Sequence, residues 1–183
     1  MTITIFSKCT YTTIGIKHFI NQLQRETTML AGRYSGRICF IDVTIENFEA
    51  LYRAEYANSR TEKIVVITDC LHRAIIVDEK TIILSSVMPL CQMSDLFNDL
   101  YDNYSRYTEL PQLSQRESLF LSEWSTGKSL VDISSTMKIR NKTANHYKSK
   151  IMKKFGASRI KPLLHIHKVR YLTDKLNISV NDG

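Results

Sequence analysis

The chain has 183 residues, of which 43% are hydrophobic, and carries a formal net charge of +7; that length suits one large domain or two small ones with an ordinary apolar core. The longest strong apolar run, IVVI at 64–67, falls far short of the roughly 20 residues of a membrane helix, and the amino-terminal stretch has no export-signal pattern, so a cytoplasmic protein without membrane contact is expected. The charge is unevenly spread: residues 1–111 hold 11 Lys and Arg against 13 Asp and Glu, whereas residues 112–175 hold 14 against four, which predicts two modules, the second facing a polyanion.

From the amino terminus onward, ITIF (3–6), ICFIDV (38–43), KIVVIT (63–68) and TIILS (81–85) read as short buried strands. Between and after them come faces with helical spacing. Ile16, Phe19, Ile20 and Leu23 make one; Phe48, Leu51, Tyr52, Glu55 and Tyr56 make a second; Leu96, Phe97, Leu100, Tyr101 and Tyr104 make a third. Strands alternating with helices predict a parallel sheet covered on both faces. Cys9, Cys39, Cys70 and Cys91 include no CxxC pair and are expected to be buried thiols. His165 and His167 point to different sides of a helix and have no thiols beside them, so no metal or other cofactor is expected.

This order and size resemble a shortened response-regulator receiver domain, an α/β unit of residues 1–106. The chemistry of such a domain is missing at the decisive places. The acidic pair expected after the first strand is replaced by SKCT (7–10), and the lysine expected after the last by SSVMP (85–89). Without paired carboxylates there is little to hold Mg²⁺, which wants oxygen ligands. Asp42 stands where a phosphoacceptor would, yet it is read as a structural or capping residue.

Pro111 restricts Leu110 to extended backbone, so residues 107–112 read as a short linker. Residues 113–176 then read as an all-α four-helix domain. SQRE (114–117) fits a capping box that opens a helix ending near Gly127. Ser129 caps a short helix marked by Leu130, Ile133 and Met137. KIRN (138–141) is a tight connection with Ile139 as its apolar plug, and Asn141 is a reasonable cap for the next helix. Pro162 suits the first turn of a closing helix reaching about Lys175.

The third helix of this set is the most informative. RNKTANHYKSKIMKKFGASR (140–159) carries seven basic residues and no carboxylate. Ala144, Tyr147, Ile151 and Phe155 form one stripe; Lys142, Asn145, His146, Ser149 and Lys153 lie opposite, with Lys148, Lys150 and Lys154 on the flanks. A solvated helix ordinarily mixes in acids for i,i+4 pairs. Forgoing them is consistent with phosphates supplying the negative charge. Helix, short helix, tight turn and basic helix, with the turn motif at about 129–148, is a helix-turn-helix arrangement whose second helix enters the major groove.

LSQRE, FL, GKS, DI, MKI, NKT, Ile151 and KKFG, spread over 113–172, resemble the LuxR/FixJ-type DNA-binding domain. The resemblance implies that Asn145, His146 and Ser149 face base edges, and that Lys142, Thr143, Lys148 and Lys154 face phosphates. Lys150, Lys153 and Ser129 are further candidates beside them. Three positions depart from the family: Ser134 for a small alanine, Arg140 for a capping serine, and Tyr147 for a histidine. KCTYTTIGIKHFI (8–20) resembles the start of the atypical RcsA/BglJ-type auxiliary regulators. That implies a phosphorylation-independent transcription factor acting as a homodimer, or as a heterodimer with an RcsB-like response regulator, on double-stranded DNA, with RNA polymerase a further candidate partner. No glycine-rich phosphate loop, paired carboxylates or base-activated nucleophile is evident, so an enzyme is not expected. The competing reading is a protein-interaction adaptor whose basic helical half meets an acidic partner.

Overall fold

The computed structural model describes residues 2–26, 36–69, 74–89, 91–93, 95, 108–109 and 111–181. The amino-terminal half contains β1 (Thr2–Phe6), α1 (Thr10–Glu26), β2 (Arg37–Asp42), α2 (Phe48–Ala57), β3 (Thr61–Thr68), β4 (Ile75–Ile76) and β5 (Thr81–Ser85). A further strand, β6 (Thr108–Glu109), falls inside the stretch read as linker and pairs in parallel with β4. The described strands form one sheet in the order β1-β2-β3-β5-β4-β6. β1, β2, β3 and β5 run parallel, and β4 turns back antiparallel to β5.

The four predicted strands are therefore present and parallel, as their near-continuous apolar runs require of a sheet covered on both sides. The two-residue period sorts the side chains. Ile38, Phe40, Val65, Ile67, Ile82 and Leu84 pack with Ile16, Phe19 and Ile20 of α1. Their neighbours Cys39, Ile41, Ile64, Val66 and Ile83 point the other way, toward Phe48 and Tyr52 of α2. The face predicted at Leu96 to Tyr104 lies outside the described residues, as does the side chain of Leu23.

Two cysteines correct the expectation of buried thiols. Cys39 is buried, and burial pushes its thiol up to about 12. Cys9 and Cys91 are exposed, Cys9 because it precedes α1 and its carbonyl accepts the Thr13 amide. Cys70 lies outside the described residues.

The carboxy-terminal half is helical: α3 (Gln115–Ser125), α4 (Leu130–Thr136), α5 (Asn141–Lys154) and α6 (Lys161–Asn181). Phe120, Leu121, Ile133, Ala144, Ile151, Leu163, Ile166, Val169 and Leu172 form its core. That core is continuous with the α2 side of the sheet. The closing helix runs six residues past the expected Lys175, and just beyond that point Asn177 Oδ1 lies 2.5 Å from the Tyr56 hydroxyl of α2.

Candidate nucleic-acid interface

Local sequence fixes the frame. Ser114 Oγ accepts the Glu117 amide at 3.3 Å, while Glu117 Oε2 accepts the Ser114 amide at 2.7 Å, completing the expected capping box of α3. Gly127, after the end of α3, has φ 82°, the left-handed conformation in which glycine carries no Cβ penalty. Ser129 and Asp132 form a second capping box at α4. Lys138, in the connection to α5, has φ 53°, a conformation that costs a side-chain-bearing residue about 1–2 kcal/mol.

One cap differs from the expectation. The N-cap of α5 is Arg140, in extended backbone and without a side-chain cap hydrogen bond; Asn141 is already helical. Asn141, itself exposed, is engaged with α4 instead, its Oδ1 2.5 Å from Ser134 Oγ, which also lies 2.8 Å from the Val131 carbonyl. The serine in place of alanine at 134 explains this, because a buried hydroxyl needs partners. It ties α4 to the first turn of α5 across the tight connection.

On α5, Ala144 and Ile151 are fully buried, and Tyr147 and Phe155 are half-buried against the same core. The Tyr147 ring packs 6.2 Å from Phe120. Opposite them, Lys142, Asn145, His146, Ser149 and Lys153 are all exposed, as helical periodicity predicts. Thr143 is half-buried. The outward side chains of Lys142 and Lys153 have no ion pair among the described residues.

The flanking lysines correct the picture of a helix wholly without counter-charge. Lys154 Nζ donates to Glu117 Oε2 at 2.7 Å and to the Gln112 carbonyl at 3.0 Å. Lys150 Nζ stands 3.3 Å from Glu117 Oε1. Glu117 is entirely buried. Burial alone raises its pKa, but the Lys154 hydrogen bond, the Ser114 amide, Lys150 and the Ser114 hydroxyl outweigh it and bring the carboxyl down to about 2. Lys148 Nζ lies 5.3 Å from the Trp124 ring centroid, a cation–π contact. Thus α3 steadies one flank of α5 through Glu117 and Trp124 and leaves its outer face open. The sequence marks Glu117 as a cap residue but has no local signature for a pairing across two helices. The 150/154 spacing, which puts both lysines on one side, is the available hint.

Asp42 is nearly buried at the end of β2. Its Oδ2 accepts Ser7 Oγ at 2.9 Å; its Oδ1 accepts the Thr44 amide at 2.9 Å and the Thr44 hydroxyl at 2.7 Å. Lys8, which follows Ser7 in the chain, is paired with Glu46. No group of three or more His, Cys, Asp or Glu suited to a metal occurs among the described residues. No described helix is long and apolar enough to cross a membrane.

Comparison with known proteins agrees with this geometry. Residues 111–166 match the model of bacterial regulatory proteins of the luxR family. No curated protein matches the sequence. Among solved structures, the chain resembles RcsB from Salmonella enterica serovar Typhimurium, bound to promoter rprA in the presence of phosphomimetic BeF3⁻. The identity is 16% and the TM-score 0.54, over 87% of this chain and 97% of that one. Full-length FixJ from B. japonicum is matched at 14% identity and a TM-score of 0.35, over 93% and 97% of the two chains. The RcsB likeness places the receiver-like sheet and the helical half in one known type of fold. Residues 111–166, which hold α4 and α5, match the luxR-family helix-turn-helix domain, a DNA-binding unit, and the chain as a whole has the fold of a response regulator.

Proposed function

We propose that the chain is a sequence-specific regulator that inserts α5 into the major groove of duplex DNA. Asn145, His146 and Ser149 meet base edges, Lys142, Thr143 and Lys153 meet phosphates, and Lys148, Lys150 and Lys154 add positive potential at the flank. Ser129 caps α4 and points the start of that helix toward the backbone. The observation that carries this reading is the one-sidedness of α5: its apolar stripe is in the core and its polar stripe is wholly outward. Bases specify and phosphates position, and this face offers groups for both.

The amino-terminal half, residues 1–106, is in this reading a receiver-like platform that works without phosphorylation. Support comes from Asp42, whose two oxygens already accept three hydrogen bonds, and from SKCT and SSVMP, which lack the usual metal and phosphoryl partners. Residues 107–112 join the halves, and residues 113–176 carry the DNA-binding domain. The active species is a homodimer or a heterodimer with an RcsB-like regulator, giving two half-sites about one helical turn apart. Non-enzymatic action in the cytoplasm, with RNA polymerase as a further contact, completes the reading. A gel shift of genomic fragments in excess competitor DNA tests it: a discrete, competitor-resistant complex is expected. Binding only to acidic proteins would favour the adaptor alternative.

A further inference from the structure

The last helix belongs to both halves. Tyr52 of α2 is fully buried, as is Thr81 of β5, and Thr173 of α6 is 2% exposed. The Tyr52 hydroxyl lies 2.8 Å from Thr81 Oγ1 and 2.6 Å from Thr173 Oγ1. Thr173 in turn donates to the Val169 carbonyl at 3.0 Å. One proton order satisfies every group: Thr81 donates to Tyr52, Tyr52 to Thr173, and Thr173 to its own helix. Burial raises the Tyr52 phenol to about 12, against the lowering effect of the Thr173 and Thr81 hydrogen bonds, so this chain of hydroxyls is neutral throughout the physiological range.

Contacts outside the triad repeat the same docking. Asp78, in the β4–β5 turn, accepts the Tyr56 hydroxyl at 2.6 Å, and Asn177 of α6 reaches that same hydroxyl. Glu49 of α2 pairs with Lys168 of α6 at 3.3 Å. Beneath these polar groups the apolar cluster passes without a break from the sheet into α6. A parallel sheet needs both faces covered. On the α1 side the amino-terminal half supplies the cover itself; on the α2 side, α6 shares it.

We infer that α6 is a structural helix of the receiver-like half as well as of the DNA-binding half, latched by Thr81–Tyr52–Thr173, so that the two halves unfold as one unit and α5 is presented on a fixed platform. The exposed face of α5 is open in this docked state, so presenting it requires no release of the helical half. A buried hydroxyl chain serves such docking better than apolar contact alone, since any shift of α6 along α2 leaves buried polar groups unpaired. The coupling itself does not depend on the DNA-binding reading, and its test involves no DNA.

The full chain is unfolded in urea with two probes, fluorescence of Trp124, the single tryptophan, and pulsed alkylation of the buried Cys39 read by mass spectrometry. Coincident midpoints are expected, and two separated transitions in the unmodified chain overturn the inference. Thr173→Val keeps the shape and removes the hydroxyl; amides of α2 and β5 should then exchange about threefold to tenfold faster, the equivalent of one net hydrogen bond. Unchanged exchange there overturns the latch. Thr173→Lys drives a charge into the contact and should expose Cys39 to alkylation under native conditions, even if the variant fails to fold. Cys39 remaining protected in that variant also contradicts the shared helix.

Discussion

Lys154 Nζ lies 2.7 Å from Oε2 of Glu117, a carboxylate with no solvent exposure. A charge buried in the helical half is thus held by the helix proposed to enter DNA, and the same helix steadies its own flank by that contact. Removing the charge should be costly to the fold, because Lys154, Lys150 and the Ser114 amide lose a strong acceptor. Glu117→Gln is expected to destabilise by about 1–3 kcal/mol, measured by urea unfolding at neutral pH.

The same carboxylate gives a pH signature. Its folded pKa, about 2, lies below the ordinary 4.5, so its stabilisation is fully present above about pH 4.5 and is lost as pH falls toward 2. Thermal unfolding across pH 2 to 6 should show a steeper loss of Tm in the unmodified chain than in Glu117→Gln. Parallel curves would contradict the ion pair.

Arg140 caps α5 with backbone geometry but no side-chain acceptor. Arg140→Ser should supply one and raise stability by about 0.5–1 kcal/mol, seen as a rise in Tm of the isolated protein. A lower Tm would mean that Arg140 makes a stabilising contact of another kind.

Asn145 is exposed on the outer face and suits a bidentate pair with adenine. Asn145→Ala should lower discrimination at one base-pair position by about 1–3 kcal/mol, measured by selection of binding sites from a randomised pool. Uniform weakening across all sequences would move Asn145 to a backbone role.

Asp42 is expected to stay unmodified after incubation with acetyl phosphate and Mg²⁺. Intact-mass spectrometry with hydroxylamine-sensitive adduct mapping checks this. A phosphoaspartate at Asp42 would overturn phosphorylation independence.

Much of this architecture can be read from the residues, for identifiable reasons. The strands 3–6, 38–43, 63–68 and 81–85 carry dense apolar runs, and β1, β2, β3 and β5 overlap them. The caps at Ser114 and Ser129 use local chemistry within four residues, and both capping boxes form. The outer face of α5 follows from period alone. Relations between distant segments are a different matter. Glu117 to Lys150 and Lys154, and Tyr52 to Thr173, are set by packing; the four-residue spacing of the two lysines is the only trace of the first, and the second leaves none. The expected cap of α5 is off by one residue because Asn141, a good capping residue by type, is taken up by Ser134. Cys9 is exposed because its place just before α1, and not its residue type, decides burial.

Whether the outer face of α5 meets duplex phosphates is decided by the salt dependence of binding. With a selected DNA site, log K should fall linearly with log[KCl], and the slope should shrink by about 0.9 for each phosphate that a variant no longer neutralises. Lys142→Ala and Lys153→Ala, on the open face, should each lower the slope by about that amount while leaving stability within about 0.5 kcal/mol. If both variants keep the slope of the unmodified chain, the cationic face does not lie on DNA and the proposed insertion of α5 is wrong.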